Sequence, residues 1–207
     1  MALNHKVENV EQLLNDSQHL LNETTNGASG SAYSIIKNLS NAIDILSGCW
    51  KGLDAGVQIN NIVNVYNNMV TFRNSMSDLS SYSYSIGIMY RQIQSSNGAS
   101  VEVPSPLQDS ISLTTRNPYE DKNDTIDITD KAVEARTELE TAKSAFQDLT
   151  MTFNQDKSAI LNNWTSGDRH DEFEETFGDF ASKFQNYETL IADVVDKITS
   201  ALANYGG

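Results

Sequence analysis

The chain has little of what small proteins use for staples, turns and catalysis. Its single cysteine, Cys49, allows no internal disulfide, and beside Trp50 at a helix end it reads as a small buried hydrophobe. Its three histidines, His5, His19 and His170, offer neither a nucleophile–base pair nor a helical pair for a metal. Asp168-Arg169-His170-Asp171-Glu172, with Glu174 and Glu175 behind, is acidic. Adjacent helical residues point in different directions, and the positive end of a helix accounts for the charge. Glycine-rich phosphate loops and dinucleotide fingerprints are missing. No catalytic, cofactor-binding or metal residue is expected, and the chain does not read as an enzyme.

Positive charge is also scarce, with 14 basic against 28 acidic residues and a net charge of −14. Residues 1–100 hold 7 acidic and 5 basic side chains, so residues 101–207 carry −12 of that total. Such a field repels nucleic acid and anionic lipid. No apolar run approaches the length of a membrane span. Met1-Ala2-Leu3-Asn4-His5-Lys6 has no basic region followed by an apolar stretch, so no cleavable secretory signal is expected. Yet 39% hydrophobic and 8% aromatic residues are too many for a disordered chain.

The three prolines, Pro104, Pro106 and Pro118, all fall in one segment, together with Asn97-Gly98-Ala99-Ser100. Proline breaks helices, so residues 96–126 form a connection between two helical regions. Within it Val101-Glu102-Val103 and Ile111-Ser112-Leu113 could pair as short extended segments.

What the chain has is periodicity. Ile128, Ala132, Ala135, Leu139, Ala142, Phe146, Leu149, Phe153, Ile160 and Trp164 fall on one seam, with Asp156 at its skipped position. After Gly167 come Phe173, Phe177, Phe180, Phe184, Tyr187, Ile191, Val194, Ile198, Ala201 and Tyr205, stepping four and three without a miss. The first half repeats the design: Ala32, Ile36, Leu39, Ile43, Leu46 and Trp50 lead into Gly52. Ile59, Ile62, Tyr66, Met69, Met76, Leu79, Ile86, Tyr90 and Ile93 follow, with Arg73 and Ser83 at seam positions. A 3.5-residue repeat keeps one stripe facing one partner, so four long helices pack as two hairpins. The phenylalanine row reads as core, although it could line a groove.

The stretch Thr24–Ser31 contains Gly27 and Gly30 and is a poor helix, yet length matching with the next helix favours a kinked, continuous one. Thr129-Asp130 is the expected cap of the third helix, and Asp168 with Asp171 and Glu172 suits the start of the fourth.

A helix, a Trp-x-Gly turn and a second helix of matching length resemble the small WXG proteins of type VII (ESX-type) secretion. Trp50-Lys51-Gly52 fits the motif, and Trp164-Thr165-Ser166-Gly167 carries one inserted residue. The resemblance covers residues 4–95 and 127–205. It implies an all-α fold of two tandem hairpins, 1–95 and 127–207, packed as a four-helix bundle like a fused dimer. It also implies a non-enzymatic secretion substrate, or the targeting or chaperone partner of an effector, leaving the cytoplasm without a cleavable signal. The partners implied are another WXG-like or effector protein, the secretion ATPase and, if hairpins swap between chains, a second copy. The family's export signal, Tyr followed four residues later by an acid, is incomplete here: Tyr90 meets Gln94, and Tyr205 has only Gly206 and Gly207 after it. The alternatives are a coiled-coil scaffold or surface protein of a bacterial envelope, or the targeting region of a larger toxin.

Overall fold

Each heptad stripe becomes a helix in the computed structural model, which describes residues 4–27, 29–120, 127–178 and 180–205. Helix α1 (Val10–His19) starts where the Asn9 side chain accepts from the Gln12 N–H at 3.0 Å. A π-helical turn, Leu20–Thr25, continues it, and α2 (Ala32–Cys49) begins anew behind its own cap, Ser31. After the first tryptophan turn, α3 (Leu53–Ser96) runs for 44 residues. Helix α4 (Ala132–Asn163) precedes the second turn, and α5 (His170–Gly178) and α6 (Phe180–Tyr205) follow it. Asp179, between the last two, lies outside the described residues. No described helix is long and apolar enough to cross a membrane.

Helix α4 packs most extensively on α2 and α6, α1 lies on α3 and α4, and α3 also touches α2 and α6. Phe72, Phe146, Phe153, Phe177 and Phe184 are fully buried where these helices meet, and Phe153 stacks on Phe177 at 4.3 Å. The phenylalanine row is therefore core, its half-buried member Phe180 included.

Four two- or three-residue strands close the structure. Strand β1 (Lys6–Val7) pairs antiparallel with β4 (Trp164–Ser166), and β2 (Trp50–Lys51) pairs antiparallel with β3 (Asp127–Ile128). The segment leading into each hairpin thus clasps the tryptophan turn of the other. Matching bonds extend both clasps: Glu8 N–H donates to the Asn163 carbonyl at 2.8 Å, and Thr129 N–H to the Cys49 carbonyl at 3.1 Å.

These clasps explain why the kinked, continuous helix expected over Thr24–Ser31 is not formed. Val7 pairs with Trp164 and Trp50 with Ile128, so both first arms must cover the same axial distance. The first arm has 43 residues from Val7 to Trp50 and the second 36 from Ile128 to Trp164, a surplus of one heptad. Seven helical residues would add about 10 Å. The chain disposes of them in the wider π-turn and a non-helical excursion around Asn26–Ser31, of which Ala28 lies outside the described residues. Glycine is suited to that path, since Gly30 takes φ +73°.

Two smaller expectations also change. Thr129 and Asp130 do not cap α4 through their side chains; their carbonyls accept from Ala132 and Val133 N–H in a backbone turn. Val101–Val103 and Ile111–Leu113 do not pair with each other. Residues 107–119 run back along α3 outside any helix or strand, and 121–126 lie outside the described residues.

Candidate functional site

The tryptophan turns are built alike. Trp50 and Trp164 are 1% and 0% exposed, each ending a helix and entering a strand. Gly52 (φ +110°) and Gly167 (φ +134°) follow in conformations that L side chains rarely adopt. At Gly167 space is missing as well: a Cβ would lie 2.1 Å from His5 Nδ1 and 2.7 Å from the Asn4 carbonyl oxygen. Trp164 sits among the rings of His5, Tyr82, His170 and Phe173, with centroids at 5.5–6.1 Å. Arg169 (φ +62°) pins this turn to the first hairpin, reaching Asp78 at 2.7 Å, holding Glu172 at 2.7 Å and lying over the Tyr82 ring. The Glu172 carboxyl is accordingly held below its ordinary value, first by hydrogen bonding to Arg169. All four motif residues thus serve the turns and the clasps.

The two tyrosines with export spacing differ. Tyr90 is half-buried and donates its hydroxyl to the His5 carbonyl at 2.5 Å, whereas Tyr205 is 55% exposed at the end of α6. Potential metal ligands come together once among the described residues: His170, Asp171 and Glu174 bring ligand atoms within 4.8 Å of one another. Both carboxylates are exposed, and His170 is oriented by its edge-on contact with Trp164 and by Asp171. Ring packing and the helix N-terminus account for this group.

The polar residues at seam positions, Arg73, Ser83 and Asp156, are each met by a polar partner from another segment. Ser83 shares a 2.6 Å hydroxyl contact with Ser17. Asp156 accepts from Thr24 of the π-turn at 2.6 Å and lies 2.8 Å from His19 Nδ1. Burial raises the Asp156 carboxyl above its ordinary 3.8, against the lowering effect of those two partners.

Arg73, 1% exposed on α3, is the centre of a larger cluster. Its Nε and Nη2 donate to Asn26 Oδ1 in the excursion, Nη2 also to Asp109 at 2.6 Å, and Nη1 to the Ile111 carbonyl at 2.8 Å and Asn74 at 3.2 Å. All five N–H groups of the guanidinium are therefore engaged. Asp109 is half-buried, which works against its ionisation. Bonds from Ser77, the Ile111 N–H and Arg73 outweigh that and lower its carboxyl.

Beyond this cluster the connection is held through its backbone. Asn67 donates to the Arg116 carbonyl at 3.0 Å and accepts from the Arg116 N–H at 2.8 Å. Asn60 does the same with Tyr119, at 3.0 and 2.7 Å, and Asn74 donates to the Leu113 carbonyl at 3.4 Å. Arg116 forms a two-pronged pair with Asp44 of α2 at 2.6 and 2.9 Å, which lowers the Asp44 carboxyl. What reads as a linker is a strap laid antiparallel on α3. Sequence reasoning missed it, although Asn60, Asn67 and Asn74 recur at seven-residue spacing.

Comparison with protein-family models, with curated proteins and with solved structures returns no match for this chain.

Proposed function

We propose that the chain is two WXG-like hairpins fused in one polypeptide, packed as a four-helix bundle, and that it works in type VII secretion through protein contacts and without chemistry. The observation that carries this reading is the reciprocal clasp: each tryptophan turn pairs with the segment that enters the opposite hairpin. Two separate hairpins related by a twofold axis would exchange the same contacts. Heptads on both arms of the second hairpin, broken only at Asp156, and an acidic surface support the same reading.

In this role the helical faces engage another WXG-like protein, an effector or the secretion ATPase, and the chain leaves the cell without a cleavable signal. At Tyr90 the acid's place in the Tyr-to-acid pattern is taken by Gln94, so a bound partner supplies the signal. The test is expression in the native host with and without the secretion ATPase, followed by assay of the culture supernatant. Protein outside only in the ATPase-positive strain is the expected result. Equal amounts in both strains would remove type VII export and leave an envelope scaffold as the better reading.

A further inference from the structure

We propose that the face of α3 carrying Asn60, Asn67 and Asn74 is a binding groove for an extended polypeptide segment bearing an acidic residue, with residues 107–119 as its resident occupant in cis. The groove is defined by α3 with contacts from Asn26 and Asp44, none of which depends on secretion, so the proposal holds whether or not the chain is exported.

The first support is what the asparagines grip. Asn60 and Asn67 each bind the N–H and the carbonyl of one strap residue, the pair of groups that any non-proline residue presents. The contacts are therefore blind to side chain. The second support is spacing. Leu113, Arg116 and Tyr119 are three residues apart and face Asn74, Asn67 and Asn60, seven apart. Three residues of extended chain advance about 9–10 Å and seven of helix about 10.5 Å, so the clamp keeps step along the heptads. The half-buried strap residues step by three where the asparagines grip, at 113, 116 and 119, and by two between 107 and 113, around the Arg73 cluster.

Beside the exposed pair of Arg116 with Asp44, the stronger demand on side chain lies at the Arg73 end. The Arg73 side chain is 2% exposed and has Asp109 as its carboxylate partner. A buried guanidinium without a counter-charge is strongly unfavourable, so an occupant must bring an acid four residues before its first clamped carbonyl. It must also lack proline at the two positions whose N–H is gripped. The resident strap obeys both rules, since Pro104, Pro106 and Pro118 all avoid residues 116 and 119. A partner segment with the same features can take this seat when it competes with the strap, whose tether gives it a high effective concentration.

The test uses the full chain carrying Asp109→Ala, which vacates the carboxylate seat and leaves α3 intact. The probe is a fluorescein-labelled peptide with the sequence of residues 105–120, followed by anisotropy. Binding to the variant should be at least about tenfold tighter than to the unaltered chain, whose tethered strap competes. Replacing the peptide's aspartate by alanine, or adding Asn60→Ala and Asn67→Ala to the receptor, should each remove that gain. In the unaltered chain, excess peptide should speed hydrogen exchange at the Arg116 and Tyr119 amides. Equal binding to the variant and the parent, no binding to the variant, or indifference to the peptide's aspartate would overturn the proposal. If circular dichroism shows Asp109→Ala unfolded, Asp109→Asn serves under the same comparisons. Should both fail to fold, the strap is an obligatory part of the fold and not an exchangeable occupant, which also overturns it.

Discussion

Replacing Trp164 by alanine tests whether the second turn is held by burial. The side chain is 0% exposed and touches rings from β4's partner segment, α3 and α5. Burying an indole removes about 200 Å² from water, worth up to about 5 kcal/mol at about 25 cal/mol per Å². Measured tryptophan truncations in cores cost about 3–5 kcal/mol. No hydrogen bond is lost in addition, because Trp164 Nε1 has no partner among the described residues. Unfolding entropy of about 2.1 cal/mol/K per residue converts this loss into a Tm lower by about 7–11 °C for a chain of 207 residues. Thermal melts by circular dichroism at 222 nm give that number. Hydrogen exchange adds a local readout, because the Glu8 amide bonded to Asn163 should lose protection as the clasp loosens. A Tm within about 2 °C of the parent would refute the reasoning and favour a binding role for Trp164 over a structural one.

Gly167→Ala places a Cβ against His5 and Asn4 at φ +134°, so it should cost about 1–2 kcal/mol and lower Tm by about 2–5 °C. Gly48→Ala, whose Cβ meets nothing within 4 Å inside α2, should shift Tm upward; melts of the pair check the opposite signs. Burial raises the Asp156 carboxyl, so the folded state holds that proton more tightly than the unfolded state does. The stability this supplies is complete below the unfolded value of 3.8 and is lost as pH rises through the folded value. Relative to the parent, Asp156→Asn should therefore gain stability between pH 3 and pH 7, as read from denaturant midpoints; a constant difference would count against it. Limited proteolysis should cut 97–105 before the clamped residues 107–119, with both fragments then co-eluting on gel filtration. Separation of the fragments would contradict the inter-hairpin packing.

The helices were legible because heptads are local. Phe173, Phe177 and Phe184 announce a buried face from their spacing alone, and burial follows. The tryptophan turns were legible for the same reason, with glycine marking where the backbone leaves the right-handed region. What the residues could not disclose depends on a second segment far away. The break at Asn26–Ser31 follows from a length difference that has meaning only once Val7 is known to face Trp164 and Trp50 to face Ile128. Arg73, Ser83 and Asp156 look like interruptions of a seam until Asp109, Ser17 and Thr24 are seen against them. Asn60, Asn67 and Asn74 read as a solvated polar stripe, since nothing local distinguishes an amide that binds water from one that binds a strap.

The clasps also set an order of events during synthesis. Val7 and its partner Trp164 are 157 residues apart, about twice the 78 between Trp50 and Ile128 and well beyond the 63–85 that separate the bonded side chains of the first hairpin. Distant pairings close late, after the loops they define have been made. As the chain emerges from a ribosome, α1, α2 and α3 can associate while the strand at Trp50 still waits for Asp127 and Ile128. The amino-terminal arm waits longer, because its dock does not exist until about four fifths of the protein has been made. Throughout that interval Lys6 and Val7 present unpaired backbone to solvent, and a nascent chain is open to capture there in a way that the finished one is not.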